Sequence, residues 1–455
     1  MTTVVILSIG VAIAIALPIA WRVRQRRFDP FEPIVVFALA WGVMFVVRPI
    51  AIVVRDDTNF YGVDIGSTLD KAVLLGLVGA VAFVVGYETS LGRRLAARAP
   101  APVRGVRVDA ALAWAVVFAA AGVAAFALVL LPAGGVASIR TFFGGRSAEL
   151  NELIAGSSTY LWYGSLVVVP AALVAAAVAF SDRRPRVVVT AAVLMLVALL
   201  RTVPTGNRVF LVVLVGGIVT FGFYRMKRRP GVLVLGLGLV AALVVSGAVK
   251  TFRYPETRDS LGSVVRGFAT SPTRALRPLY QGPDAEMAPA LAGALAVVPE
   301  QLPHRFGGAT VGDLVIRPIP RQIWPDKPVA PGQEVTAEVW PVAVETGGFD
   351  PAFTPMLTFY WDFAVFGVIA GMAALGVLAR FLREQLAANV DAFGAQLVAA
   401  AGLWFLVVAL RHDTTLVIVW GLIVFGPLVG IARLARTNGR RERAVASLDS
   451  ATGSS

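Results

Sequence analysis

Between Val4 and Ala432 the chain is a succession of apolar runs of 14 to 25 residues, most of them divided by short charged stretches. A helix needs about 20 apolar residues to cross the roughly 30 Å of hydrocarbon in a bilayer, so each run reads as a crossing element. The expected spans are about eleven: Val4 to Trp21, Pro33 to Val54, Ala72 to Tyr87, Ala110 to Leu131, Tyr160 to Phe180, Val187 to Leu200, Val209 to Tyr224, Gly231 to Val249, Pro355 to Ala379, Phe393 to Leu410 and Thr415 to Ala432. Composition agrees. Hydrophobic residues make up 57% and charged ones 15%, with a mean hydropathy of +0.76, where a soluble domain carries about a quarter charged residues. The fold class is an all-α polytopic membrane protein.

The loops fall into two alternating sets. One set is basic: residues 22 to 27, 93 to 107, 182 to 186, 224 to 230, 380 to 383 and the tail from Arg433 carry 23 of the 41 Lys and Arg residues. The positive-inside bias makes this set cytoplasmic, which places the N-terminus outside and the C-terminus inside. Topology thus accounts for the net charge of +13, and nucleic acid is not an expected partner. The first span is not read as a cleaved signal peptide, because "MTTVV" has no basic n-region and the charges follow the apolar run. With no cysteine and only His304 and His412, disulfides, thiol catalysis and multi-histidine metal centres are excluded. No nucleotide-binding loop or hydrolase triad is present. Neither a metal nor a cofactor is expected.

The other set holds one long member, residues 250 to 354, with 15 of the 27 prolines counted from Pro255 to Pro355. Its ten basic and eleven acidic residues nearly cancel, so topology does not explain it. Loops of that length are functional or disordered, and the apolar and aromatic content favours a folded extracytoplasmic cap. Leu261, Val264, Val265 and Phe268 suit a short interfacial helix, and residues 285 to 300 a second such helix or a re-entrant one. The expected division is therefore 1–249 (spans 1 to 8), 250–354 (cap), 355–432 (spans 9 to 11) and 433–455 (a disordered cytoplasmic tail).

"RTVPTGNR" (201 to 208) separates runs of 14 and 16 residues, too short to cross fully and still place their turn in open water. Pro204 and Gly206 break the helix, which is allowed at that depth where backbone lines a cavity. Arg201, Arg208, Lys250, Arg253 and Arg411 all sit at outer span ends, where the inside bias disfavours them. Singly, each can snorkel to headgroups. Together they suit a membrane-anchored anion, since guanidinium groups bind phosphate oxygens bidentately and keep their charge when desolvated. Carboxylates speak less clearly. Asp56 and Asp57 read as solvated loop charges beside Arg55. Asp413 adjoins His412, and Asp362 lies inside an apolar run, where an ionisable group is a functional hypothesis or a helix-starting carboxylate paired with an arginine.

Three stretches together resemble the O-antigen polymerase (Wzy-type) family of bacterial repeat-unit polymerases: "PTGNRVFLVVLVGG" (204 to 217), "GDLVIRPIPRQIWPDKP" (312 to 328) and "TFYWDFAVFGVIAG" (358 to 371). The chain departs from the family pattern at Asn207, where Ser is usual, and at Ala364, where Gly is usual. The resemblance covers roughly the C-terminal 60% of the chain, and its middle stretch is the most specific.

The resemblance implies a metal-independent glycosyltransferase with a GT-C-like helical bundle in the bacterial cytoplasmic membrane, its active site on the extracytoplasmic side. It implies transfer of a growing glycan from one undecaprenyl diphosphate carrier to a repeat unit on another. Membrane lipids, a flippase and a chain-length regulator are the further partners it implies. Arg208, Arg321 and Arg411 are the expected catalytic arginines. Arg201, Arg253, Arg266, Arg317 and Lys327 are the expected substrate ligands, and Asp413, His412 or Asp362 the general base. Trp324 and Tyr360, with Trp340, Trp361 and Tyr280, are candidate sugar-stacking surfaces or packing residues. In "RPIPRQIWPDKP" the prolines hold an extended segment that presents Arg317 and Arg321, or seals the bundle with those arginines paired to Asp313 or Asp326. A glycan ligase shares these features. A flippase or transporter calls for internal repeats and mid-span ionisable groups.

Overall fold

The computed structural model describes residues 1–131, 135, 138–139, 142, 158–204, 208–231, 234, 285–319, 323–345 and 353–437. Eleven helices organise them: α1 (Thr2–Arg24), α2 (Pro33–Arg55), α3 (Leu69–Glu88), α4 (Val108–Leu130), α5 (Tyr160–Ser181), α6 (Pro185–Thr202), α7 (Arg208–Met226), α8 (Met287–Val297), α9 (Met356–Ala388), α10 (Phe393–Ala409) and α11 (Thr414–Leu434). Among the described residues nine are long and apolar enough to cross a membrane; α8 and α10 are shorter. The protein is an all-α polytopic membrane protein, with one two-residue hairpin pairing Asn59 with Asp64 and Phe60 with Val63. Of the expected span Gly231 to Val249 only Gly231 and Val234 are described, and the helix around Leu261 to Phe268 lies outside the described residues.

Two expected boundaries change. The runs flanking 205–207 are 18 and 19 residues long as helices, because α6 and α7 take in the polar residues at their ends. At 1.5 Å per residue each spans about 27–28 Å, so the argument from shortness falls away. The ninth span does not begin at Pro355. In α9, Phe363 (φ −138°) and Ala364 (φ 50°, ψ −141°) leave helical geometry. A β-carbon on Gly79 would touch both Met356 and Met372, which on a straight helix would be about 24 Å apart. Residues 356–362 therefore run back along 365–372, and the crossing helix proper starts after Ala364.

Hydrogen bonds and ion pairs sort the loops onto two faces, in the same two sets that charge separates in the sequence. On the basic face, Glu32 is buried and accepts from Arg22 (2.9 Å), Arg383 (3.2 Å) and the Tyr87 hydroxyl (3.0 Å), and Glu88 takes a second Arg22 bond (2.8 Å). This knot ties α1, α2, α3 and α9 together. Lys227–Asp391 (2.7 Å) and Arg184–Asp109 (3.4 Å) extend the pairing around the face. On the opposite, long-loop face the Trp340 indole donates to Phe60 O (3.0 Å) and Tyr61 to Glu286 (3.0 Å).

Inside, small residues allow the backbones to meet, as is usual where lipid offers no hydrophobic drive between helices. Gly86 of α3 faces the backbone of Ala373, and Gly376 of α9 faces that of Phe83, each too close for a β-carbon. One apolar cluster joins α1–α3, α8, Val335, Trp340 and α9; a second joins α4–α7, α10 and α11. Of the two readings for residues 285–300, the helix lying half in solvent at the interface does not fit. Met287, Ala288, Ala290, Leu291, Ala292 and Ala294 of α8 are wholly buried, a helix enclosed on all sides rather than lying half in solvent. The described part of the long loop shares one core with the first three spans.

Candidate functional site

The break in α9 organises the long-loop face. A helix that stops at Asp362 leaves its last carbonyls without partners. The segment 303–310 supplies them: Arg305 N donates to Trp361 O (3.0 Å), Phe306 N to Asp362 O (3.2 Å), and His304 Nδ1 lies 3.1 Å from Trp361 O. Asp362, fully buried, returns the interaction by accepting from Ala309 N (2.8 Å) and Thr310 Oγ1 (2.6 Å). Each of its oxygens thereby holds the loop. The Arg305 guanidinium lies over the Trp361 ring (4.2 Å to its centroid) and pairs with Glu334. Tyr360 packs edge-on to His304 at 5.9 Å.

Beside this lies the α10–α11 link. Asp413 caps α11, accepting from Leu416 N (3.0 Å), so a carboxylate sits at the positive end of the helix dipole. His412 meets the Trp420 ring edge-on at 4.7 Å. Trp420 in turn contacts Tyr163 (6.2 Å) and Phe210 (5.2 Å), the latter two residues beyond Arg208, which opens α7. Thr414 and Thr358 share a 2.7 Å hydrogen bond, which ties the link to the first strand of the α9 hairpin.

Arg201, at the end of α6, is only 4% exposed. Its Nε donates to Ser165 Oγ (2.7 Å) and its Nη2 to Trp162 O (3.0 Å). Aromatic rings surround the guanidinium, with centroids at 4.1 Å (Trp162), 5.0 Å (Phe126) and 5.9 Å (Phe142). No carboxylate pairs with it among the described residues. Among the described residues the cation is solvated by two neutral hydrogen bonds and three ring faces.

The remaining expected residues divide. Arg317 is paired with Asp313, and Lys327 is buried with Nζ on Ile319 O (2.8 Å) and Arg317 O (3.2 Å), while Tyr160 donates to the same Arg317 carbonyl (3.1 Å). Of the two carboxylates expected to pair with this segment, Arg317 takes Asp313, while the Lys327 ammonium lies on loop carbonyls. Trp324 is 38% exposed and free to offer a ring face. Trp340 and Trp361 are not: both are buried, with their indole N–H groups on Phe60 O and Pro303 O (3.0 Å each). Arg253, Arg266, Arg321 and Tyr280 lie outside the described residues, as does the side chain of Arg208, whose backbone opens α7.

One residue escaped the sequence reading. Arg48 lies inside α2, directly after a π-helical turn (Val43–Val47), is 7% exposed, and its Nε is buried without an acceptor. Glu286 is the carboxylate that acts on it most strongly. The signal was present in "FVVRPIAIVV", a charge interrupting an apolar run, which is expensive in lipid.

No family model, no curated protein and no solved structure matches this chain.

Proposed function

We propose that the chain is a glycosyltransferase that polymerises undecaprenyl-diphosphate-linked oligosaccharide repeat units at its long-loop face, with that face extracytoplasmic and the basic face cytoplasmic. The observation that carries the reading is Arg201: a buried arginine with no carboxylate partner among the described residues, at a long-loop-face helix end and in contact with Trp162, whose neighbour Tyr163 reaches the Trp420–His412 pair. Burying a cation costs several kcal/mol, and in this reading a lipid diphosphate arriving from the bilayer side supplies a compensating anion. The family resemblance supports the same reading and adds Arg208, Arg321 and Arg411 as further ligands.

In the reaction the bond between the sugar C1 and the diphosphate oxygen breaks while the acceptor hydroxyl oxygen bonds to C1. Charge grows on the departing diphosphate, where fixed guanidinium groups stabilise it. The hydroxyl proton passes to a base of the His412–Asp413 pair; Asp362 is committed to Ala309 and Thr310.

The test is a reconstitution of purified protein with a defined undecaprenyl diphosphate oligosaccharide. A ladder of lengthening products is expected. A single discrete transfer indicates a ligase, and transbilayer movement without chemistry a flippase; either result overturns the proposal.

A further inference from the structure

Residues 99–107 cross the basic face as an extended strap. Pro100 and Pro102 keep it out of helical geometry, and its polar backbone is taken up by neighbours. Phe393 N donates to Arg104 O (3.0 Å), Gly394 N to Val103 O (2.9 Å), Arg107 N to Ala435 O (2.7 Å) and Thr437 N to Gly105 O (3.1 Å). The strap is thus sewn to the end of α11 on one side and the start of α10 on the other.

A cavity opens on each side of it. One, of about 230 Å³, is walled by Leu397, Val398, Leu428 and Val429 with Arg433 at its edge. The other, of about 130 Å³, is walled by Val178 and Phe393 with Arg104 and Arg225. No Asp or Glu lines either one. Elsewhere on this face Arg22, Arg184, Arg186, Lys227, Arg229, Arg380 and Arg383 all have carboxylate partners. Arg104, Arg225 and Arg433 have none among the described residues, nor do exposed Arg26, Arg93 and Arg94, but only the first three border the cavities.

We propose that the two clefts flanking the strap bind anionic phospholipids of the adjacent leaflet, one with its phosphate on Arg433 and an acyl chain along the α10 and α11 wall, the other with its phosphate on Arg104 and Arg225 beside Val178 and Phe393. Helix ends are where hydrocarbon meets headgroups, so these walls and cations match an amphiphile in depth as well as in chemistry. A soluble anion would use the arginines and leave the apolar walls wet; an acyl chain covers them. The inference is independent of the reaction at the opposite face.

The experiment uses delipidated full-length protein titrated with phosphatidylglycerol or phosphatidylcholine, with bound lipid counted by native mass spectrometry and Tm followed in parallel. Phosphatidylglycerol is expected to be retained in preference and to raise Tm. Combined Arg104→Gln, Arg225→Gln and Arg433→Gln should weaken its binding roughly tenfold or more, since each basic group near a lipid surface contributes. These side chains are exposed, so helicity should be unchanged in circular dichroism. A control removes the same charge at exposed Arg26, Arg93 and Arg94 and should keep the preference. The proposal is overturned if the first variant keeps the preference, if the control loses it equally, or if inorganic phosphate alone gives the same Tm rise.

Discussion

The carbonyl oxygen of Phe359 occupies the place a β-carbon of Gly367 would need. These residues face each other because α9 is a hairpin folded at Phe363–Ala364, and Gly371, against the Phe359 ring, extends the same close approach by one turn. Two glycines four apart thus make room for a returning strand of helix in the middle of a membrane protein.

Gly367→Ala should lower Tm, with an overpacking cost of about 1–3 kcal/mol, since the group it would strike is backbone and cannot swing aside. Ala364→Gly should act oppositely. Ala364 has φ of 50°, where glycine is not strained, so the change should stabilise by about 1 kcal/mol. Thermal unfolding of the two purified variants checks both signs.

Asp362→Asn separates anchoring from proton transfer. As the anchor of residues 309 and 310, Asp362 contributes charge-assisted bonds worth about 1.5–3 kcal/mol each. The variant should show a lower Tm and faster proteolysis near Gly307–Gly308. A variant with unchanged Tm and lost transfer would instead assign Asp362 to the chemistry.

Arg201→Met should leave the Tm of ligand-free protein level or raise it, because it removes a buried charge that has no carboxylate partner among the described residues. Polymer formation should fall about 100-fold or more if the guanidinium stabilises the departing diphosphate. Arg201→Lys should not restore it, since an ammonium lacks the planar fork that bonds Ser165 and Trp162 together. A large Tm loss with normal polymer would show Arg201 to be purely structural.

Glu32→Gln strikes the knot on the basic face. Arg22 and Arg383 would then face each other without their shared carboxylate, and breaking a buried pair in this way costs about 3–5 kcal/mol. The variant should unfold at a markedly lower temperature or fail to accumulate. Adding Arg383→Gln should recover part of the loss, which a double-mutant cycle measures.

Much of this was legible along the chain. Apolar run lengths and the spacing of Lys and Arg are local properties, and a bilayer reads them locally, so the spans and the two loop sets follow from them. The break at Ala364 left a trace as well, an alanine where a related pattern carries glycine. Arg48 was legible but passed over. Pairing was not legible. Whether Arg317 meets Asp313 is a question of helical spacing, but that Glu32 gathers Arg22, Tyr87 and Arg383 depends on helices distant in sequence.

By itself, then, the amino-acid sequence determined a helical membrane protein with a basic face and a long-loop face, because transfer of side chains between water and lipid needs no partner. Only the tertiary structure decided which cations are neutralised. Arg22, Arg305 and Arg317 meet carboxylates, while among the described residues Arg201 meets aromatic rings and neutral acceptors. In a low-dielectric interior that difference is set by which residues the fold brings within a few ångströms of each guanidinium.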